Sequence, residues 1–376
     1  MTDQHVAIVH ERFTEIGGSE RVVEQLHALW PDAPVHAPIV DVSALPAGLR
    51  SADIRSSSLQ RLYRGGPDYA HLLPLLPAAI ERLDLSGAEV VITSHHAFAN
   101  RVRIRPGARL VSYTHTPARW MWEPSFLVGE WGGRLGHLTL SAFARRHRQA
   151  DVAAARRADM IVANSRHVAM RIRRWWGREA TVVPPPVDVE RFTPDPSVAR
   201  EGFFLFVGRL VPYKRPHIAV AAAQRAGVPL VVAGGGRMRA VVAAGAGPRT
   251  EILGRVDDAT LLDLYRRCQA LLYPGEEDFG IVPVEAQACG APVVALGAGG
   301  VLDSVLDGIT GTFYRPAGPA DEVDALAAAL RSFDPARFEP RVARSHAEGF
   351  GPGVFRSRFA RAVEPVLASL EGTALR

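Results

Sequence analysis

The chain reads as an α/β protein of two doubly wound domains facing each other across a cleft, and three observations predict this. Its 376 residues, 47% of them hydrophobic, exceed what a single core of ordinary size accommodates. Short β-branched apolar runs alternate with amphipathic helical stretches over nearly the whole length, the pattern of parallel strands flanked by helices. Two such series are separated by Pro184-Pro185-Pro186 and a polar, proline-bearing stretch from Thr193 to Arg200.

In the first series the expected strands are His5 to Val9, Val90 to Ile92, Leu110 to Tyr113, Met160 to Ala163 and Thr181 to Val183. In the second they are Phe203 to Val207, Pro229 to Ala233, Thr250 to Leu253, Ala270 to Tyr273 and Pro292 to Ala295. The domains are accordingly drawn as 1–195 and 196–353, and the stretch from Val354 to Leu370 has the apolar spacing of a packed terminal helix. Open α/β sheets bind ligands beyond the carboxyl ends of their strands, so residues just after each strand are the candidates for chemistry.

Composition excludes several classes. No apolar run reaches the length that spans a bilayer, and the N-terminus lacks a signal peptide's pattern, which predicts a cytoplasmic protein. Cys268 and Cys289 stand alone without metal-like spacing, in segments that read as buried helix, so neither a disulfide framework nor a zinc site is expected. The formal charge of +5 comes from arginine, Lys214 being the only lysine, and suits an anionic partner such as nucleotide phosphates, a lipid phosphate or a membrane surface. No basic tract interleaved with aromatics marks nucleic acid as a partner. Arg145, Arg146, Arg148, Arg156 and Arg157, with the run Arg171 to Trp176, form basic helical faces that either are simply solvated or rest on the anionic inner face of a membrane.

Beyond the strand ending at Tyr273, Glu277 and Glu285 stand eight apart around Asp278, Phe279, Gly280 and Ile281. Gly280 marks a helix start whose N–H groups suit phosphate or sugar oxygens, while the two carboxylates can grip two ends of one extended ligand. Beyond the strand ending at Val207, Gly208, Arg209 and Lys214 supply a glycine turn and two cations of the kind a diphosphate needs. Two solvated surface cations and a loop Glu beside a capping Glu would be the plain structural alternative. Gly234, in Ala233-Gly234-Gly235-Gly236, and Val256-Asp257 also follow strands; a tight connection and an N-cap are the alternatives there. In the first half, Gly17 and Gly18 follow the first strand and open a helix, His115 begins a Thr-Pro-Ala-Arg-Trp-Met-Trp run at another strand end, and His10, Glu11 and Arg12 lie beside the glycine loop.

These motifs resemble the retaining family-4 glycosyltransferases, whose hallmark is a Glu, seven residues, then Glu in a Glu-x-Phe-Gly context, with Gly-Gly-x-Glu-Arg-Val near the N-terminus. The likeness runs from Gly17 to at least Gly311, in the expected order. It implies the GT-B fold, two Rossmann-like domains with the last helix, 354–376, crossing back to the first. It assigns Arg209 and Lys214 to the diphosphate, Glu277 to donor sugar hydroxyls, Glu285 to the ribose, and the loop at Val256 and Asp257 to the base, with guanine selection by Asp257 an open matter. Gly17, Gly18, Gly208, Gly234, Asp278, Phe279, Gly280 and Ile281 complete the implied donor site. His115 is implied to meet the donor sugar or transition state, and His10, Glu11, Arg12, Arg119, Trp120 and Trp122 lie on the acceptor side, where the two tryptophans either stack on a sugar face or fill the core, core being the better reading for one of them. The His-Thr-Pro-x-Arg-aromatic-x-Trp form and Gly299-Gly300-Val301-Leu302-Asp303-Ser304-Val305 resemble the mannosyltransferase-like branch, implying GDP-mannose, with UDP- or other NDP-sugars next.

The implied mechanism is electrostatic: cations and helix N-termini stabilise the departing diphosphate, no metal or cofactor is required, and a phosphate oxygen serves as base for same-face attack. Competing readings are a sugar-nucleotide epimerase, a pyridoxal-dependent phosphorylase and a non-catalytic sugar-nucleotide-binding protein. With Lys214 the only lysine and already at the diphosphate position, the phosphorylase is the poorest of these. The acceptor, whether a glycan, a lipid-linked sugar or a small molecule, is not legible, its pocket falling in variable loops such as Ser56 to Leu76.

Overall fold

The computed structural model describes residues 5–66, 69–123 and 133–374. It divides into two compact units, Met1–Pro186 with Gly353–Arg376, and Val187–Pro352. The first contains β1 (Val6–His10), β2 (Val35–Ala37), β3 (Ile54–Ser56), β4 (Val90–His95), β5 (Arg109–Thr114), β6 (Met160–Ala163) and β7 (Thr181–Val182). The second contains β8 (Phe204–Val207), β9 (Leu230–Ala233), β10 (Thr250–Gly254), β11 (Ala270–Tyr273), β12 (Val293–Leu296) and β13 (Gly311–Tyr314).

Both sheets are parallel throughout, in the orders β3-β2-β1-β4-β5-β6-β7 and β10-β9-β8-β11-β12-β13. Each order reverses direction once, between β1 and β4 and between β8 and β11. Those are the switch points at whose carboxyl ends such sheets hold ligands.

The central strands bury both faces, and the period of two sorts their side chains onto two layers. Val6, Ile8, Val90, Ile92 and Val111 pack on one face of the first sheet, and Ala7, Val9, Val91 and Leu110 on the other. In the second sheet Leu205, Val231, Leu271 and Val293 face one core, and Phe204, Phe206, Val232, Leu272 and Val294 face its opposite.

All ten strands expected from apolar runs form, with ends displaced by no more than three residues. Three others were not legible. β2 and the edge strand β3 are only three residues long and carry His36, Arg55 and Ser56, and β13 opens on Gly311, so none presents an apolar run. The unit boundary also differs from 195/196: Val187, Val189 and Phe192 already pack in the second unit's core, and the Val187 N–H donates to the Phe350 carbonyl at 2.9 Å, so the chain changes unit at Pro186. The two cysteines are buried residues that cap the helices Asp258–Arg267 and Ile281–Ala288 rather than lying inside them.

The last helix, Pro352–Ala374, returns to the first unit, where Phe355, Phe359, Val363 and Val366 close one face of the sheet. Phe359 is fully buried, with its ring 5.9 Å from Phe355 and 6.1 Å from Tyr113. All six tryptophans belong to this unit, so their fluorescence reports its unfolding alone. Phe359→Ala is expected to lower the stability of the N-terminal unit by about 3–5 kcal/mol, read from the urea dependence of tryptophan emission. An unshifted transition would show that the helix is not part of that unit's core.

Candidate functional site

In the second unit the turns after β8, β9 and β10 are tied to one another by backbone. Gly208 N–H donates to the Ala233 carbonyl at 3.0 Å, Leu210 N–H to Gly235 at 2.8 Å, and Gly234 N–H to Gly254 at 2.6 Å. Gly234 has φ +144°, and a Cβ there would come within 1.9 Å of the Gly208 carbonyl oxygen, so only glycine allows the two turns to meet. The turn after β11 packs on the turn after β8, and the Gly300 N–H donates to the Glu277 carbonyl at 2.8 Å, holding that residue's backbone from a third segment.

This scaffold brings Lys214 and Glu277 together: Nζ donates to Oε1 at 2.6 Å, with the two side chains 12% and 20% exposed. The buried Tyr273 phenol also bonds Glu277; burial, then the Glu277 charge, pushes that phenol's pKa well up, so it stays a donor. Arg209 is exposed, and its Nη2 donates to Tyr213 Oη at 3.1 Å, while the Lys214 ammonium lies 5.7 Å from the Tyr213 ring centre. Gly280, at φ +101°, is the left-handed N-cap of the helix Ile281–Ala288, and Glu285 lies on that helix with Oε2 accepting from Tyr265 Oη at 2.9 Å. Asp278 is half-buried, whereas the Phe279 ring is core, 5.5 Å from Phe350, so only its backbone is available to a ligand. Val256 packs against the same core, and exposed Asp257 is the N-cap of the helix Asp258–Arg267, accepting from Thr260 N–H at 2.8 Å.

In the first unit Gly17 is the N-cap of the helix Gly18–Leu29, and Glu20 reaches back to the Gly17 N–H at 2.9 Å, as in a capping box. Glu20 Oε2 also accepts from Ser19 Oγ at 2.9 Å, and Oε1 lies 3.1 Å from His10 Nε2. Burial alone would raise the Glu20 carboxyl, but the bond to His10, then the backbone and Ser19 bonds, outweigh it and bring Glu20 down to about 2. His10 Nδ1 is 3.1 Å from Ser94 Oγ, which is 2.8 Å from His115 Nε2. His115 is half-buried, and desolvation holds its pKa well below the usual histidine range. Desolvation likewise lowers His95 and His96.

Two expected acceptor-side residues are turned inward. His10 and Glu11 are buried at 0% and 2% exposure, and Glu11 Oε1 accepts four backbone N–H groups, from His96 to Ala99, at 2.7 to 3.1 Å, a buried cap that leaves no reach to a substrate. Half-buried Arg12 donates to His96 Nε2 at 2.8 Å and stacks 3.9 Å over Tyr69. Arg119 pairs with Glu123 at 3.3 Å. Trp120 stacks on Phe143, while Trp122 stacks on Trp175 and donates to buried Asp151 at 2.8 Å, so both tryptophans are packing residues. The basic faces also sort: Arg145, Arg146, Arg156, Arg157, Arg173 and Arg174 are exposed, whereas Arg171 is buried and Arg148 bonds the Met121 carbonyl.

Sequence reasoning missed Glu20, Ser94, His95, His96, Asp151, Tyr265 and Tyr273. The available signal was position, since Ser94-His95-His96 ends β4 and Tyr273 ends β11, both at switch points. Two cavities of about 570 and 620 Å³ lie along β2 and β3, sharing His36, Arg55 and Asp84, and include none of the candidate residues. Among the described residues no group of three or more His, Cys, Asp or Glu side chains could hold a metal, and no helix is long and apolar enough to cross a membrane.

Two doubly wound sheets, with glycine turns, a lysine–carboxylate pair and a helix N-terminus at a strand-order reversal, define a two-domain protein of the doubly wound α/β class. Residues 16–191 match Glycosyltransferase Family 4 and residues 190–337 match Glycosyl transferases group 1. The two matches lie end to end over residues 16–337, so the chain is similar to these glycosyltransferases along most of its length, and its fold is GT-B. It is similar to D-inositol 3-phosphate glycosyltransferase of Kribbella flavida, 36% identical over 231 residues covering 52% of this chain and 53% of that protein. It is also similar to the enzyme of that name from Mycobacterium bovis, 35% identical over 219 residues covering 51% and 46%. The chain spans about half the length of the curated relatives it matches. Among solved structures, Anabaena Alr3699/HepE in complex with UDP and glucose superposes with TM-score 0.67 at 19% identity, covering 96% of this chain and 99% of that one. Sucrose-phosphate synthase from Thermosynechococcus elongatus superposes with TM-score 0.72 at 17% identity, covering 97% and 100%.

The buried histidines have a measurable consequence. His95, His96 and His115 titrate below the ordinary value of 6.5 in the folded chain, so between their folded and unfolded values the unfolded chain binds more protons. Stability is therefore fully present above about pH 6.5 and lost as pH falls below it, by up to about 1 kcal/mol per histidine between pH 7 and 5.5. Glu20, lowered from 4.5 to about 2, keeps its contribution until pH falls below 4.5. Urea midpoints of tryptophan emission measured from pH 8 to 5 are expected to fall below pH 6.5; a flat profile would contradict burial of neutral histidines.

Proposed function

We propose that the protein is a retaining, metal-independent glycosyltransferase that takes a hexose from a nucleotide diphosphate sugar bound by its C-terminal unit and passes it to an acceptor hydroxyl. The single observation that carries this is the 2.6 Å contact between the Lys214 ammonium and the Glu277 carboxylate at the β8/β11 switch point. Without donor, each charge compensates the other's partial burial. With donor, the ammonium has a diphosphate to pair with and the carboxylate has sugar hydroxyls to accept from, so both ends of one ligand are met from adjacent turns.

Bond breaking places growing negative charge on the leaving diphosphate. Lys214, Arg209 and the amides opening the helix Ile281–Ala288 are preorganised donors for that charge, which is where electrostatic catalysis acts. The acceptor oxygen attacks on the face the diphosphate leaves, its proton passing to a phosphate oxygen. Glu285, bonded to Tyr265, serves the ribose, and the Val256–Asp257 turn serves the base. His115 is the N-terminal unit's contact with the donor sugar, presenting a neutral imidazole.

The finer proposal is mannose from GDP-mannose, supported by the His115 segment's likeness to the mannosyltransferase-like branch. The acceptor named for the relatives, an inositol phosphate, supports a small polyol among the acceptor classes, and the net charge of +5 suits an anionic one. The exposed arginines support a peripheral association with anionic lipid on the cytoplasmic side.

Pure protein incubated with GDP-mannose, UDP-glucose and other NDP-sugars is expected to show donor-dependent thermal shifts and slow donor hydrolysis that EDTA does not reduce. Lys214→Ala is expected to lower turnover by about 10²- to 10³-fold while leaving the tryptophan unfolding transition in place. Normal turnover in that variant would reject the role given to Lys214.

A further inference from the structure

Three neighbouring strands, β1, β4 and β5, end in a row of side chains that bond one another. The register pairs His10 with Ser94 across β1 and β4, and Ser94 with Tyr113 across β4 and β5. His115 follows one residue after β5, where its N–H donates to the His95 carbonyl at 2.8 Å. Glu20, from the first turn of the helix Gly18–Leu29, closes the row at its far end. The series is continuous: Glu20 Oε1 to His10 Nε2 at 3.1 Å, His10 Nδ1 to Ser94 Oγ at 3.1 Å, and Ser94 Oγ to His115 Nε2 at 2.8 Å. Glu20, His10 and Ser94 are buried at 5%, 0% and 0% exposure, and His115 alone is half-buried, so the row opens outward only at His115.

Donor and acceptor inventories give this row a direction. An ionised carboxylate only accepts, so His10 Nε2 carries the proton facing Glu20. In a neutral ring the other nitrogen then has a lone pair, and His10 Nδ1 accepts from the Ser94 hydroxyl. With its one proton committed, the Ser94 oxygen accepts from Nε2–H of His115, and the lone pair of that ring is left on Nδ1.

We propose that Glu20, His10 and Ser94 form a positioning relay that holds His115 as the Nε2–H tautomer, presenting Nδ1 as an acceptor for a donor-sugar hydroxyl. The inference rests on the reading of His115 as a sugar contact and gives that contact its polarity. A ring held in one tautomer and one orientation meets the sugar without first reorganising, which benefits the transition state more than ground-state binding. The glycine turn at Gly17 and Gly18 acquires a second role, because its helix start carries Glu20, the residue that anchors the relay.

The test is the nitrogen spectrum of the histidines in protein labelled with ¹⁵N-histidine, His115 being assigned by the signals lost in His115→Gln. In the wild-type chain His115 is expected to show a protonated Nε2 and a bare Nδ1. Ser94→Ala is expected to move both nitrogens toward a mixture of tautomers and to lower kcat by on the order of tenfold to a hundredfold, with the donor KM nearly unchanged. Ser94→Thr, which keeps the hydroxyl, is expected to restore both. A wild-type His115 protonated on Nδ1 would overturn the proposal, as would a Ser94→Ala chain whose His115 signals stay where they were. The wild-type spectrum requires no variant, so a Ser94→Ala chain that fails to fold does not leave the relay undecided. If wild-type protein turns over no nucleotide sugar, the functional reading fails and the tautomer still decides the relay.

Discussion

The turns that meet at the β8/β11 switch point are organised around one contact, the ammonium of Lys214 against the carboxylate of Glu277. Neither group is placed by its own local sequence. Lys214 sits in the turn after β8 and Glu277 in the turn after β11, and the two meet because the strand order makes β8 and β11 neighbours where connections diverge to opposite faces. Backbone fixes the rest: Gly234 lets the turn after β9 touch Gly208, and the Gly300 N–H holds Glu277 from behind. A half-buried ion pair resting on such a frame is preorganised, and the energy of holding two charges out of water is already met before a ligand arrives.

The N-terminal unit solves a similar placement problem with neutral groups. Four histidines lie near the carboxyl ends of β1, β4 and β5, three of them with pKa values lowered by desolvation, and each ring has a hydrogen-bond partner. Arg12 can only donate, so His96 Nε2 accepts; the Asn100 N–H can only donate, so His95 Nδ1 accepts. Glu11 and Asp151, both buried, are neutralised in effect by several N–H groups rather than by a cation, Glu11 by a run of backbone and Asp151 by Trp122 and Trp176. The polar interior of this unit is thus a set of directed bonds, which is what allows a ring such as His115 to be held in one form.

What was legible in the sequence follows from what each signal measures. Apolar runs mark strands, so the ten strands that carry one were found, while β2, β3 and β13 were not, because two are only three residues long and the third opens on glycine, and none carries such a run. Lys214, Glu277 and Glu285 were legible from residue type and spacing, and the structure brings the first two into contact. Residue type failed where burial decides. His10 and Glu11 were placed on an acceptor surface because they adjoin a glycine turn, yet they point inward; Trp120 and Trp122 were read partly as sugar platforms, yet they complete a core. Ser94 and Tyr265 are ordinary residues whose importance comes from a partner about twenty positions away, and a single sequence does not reveal such pairing.

The central claim, that Lys214 and Glu277 grip two ends of one donor, is tested most directly by calorimetric titration of a nucleoside diphosphate and of its sugar conjugate into wild-type, Lys214→Ala and Glu277→Gln protein. Loss of Lys214 should weaken both ligands, because both carry the diphosphate, whereas loss of the Glu277 charge should weaken the sugar conjugate and leave the bare diphosphate bound at least as tightly. Equal affinities for both ligands across all three proteins would show that the pair lies outside the donor site.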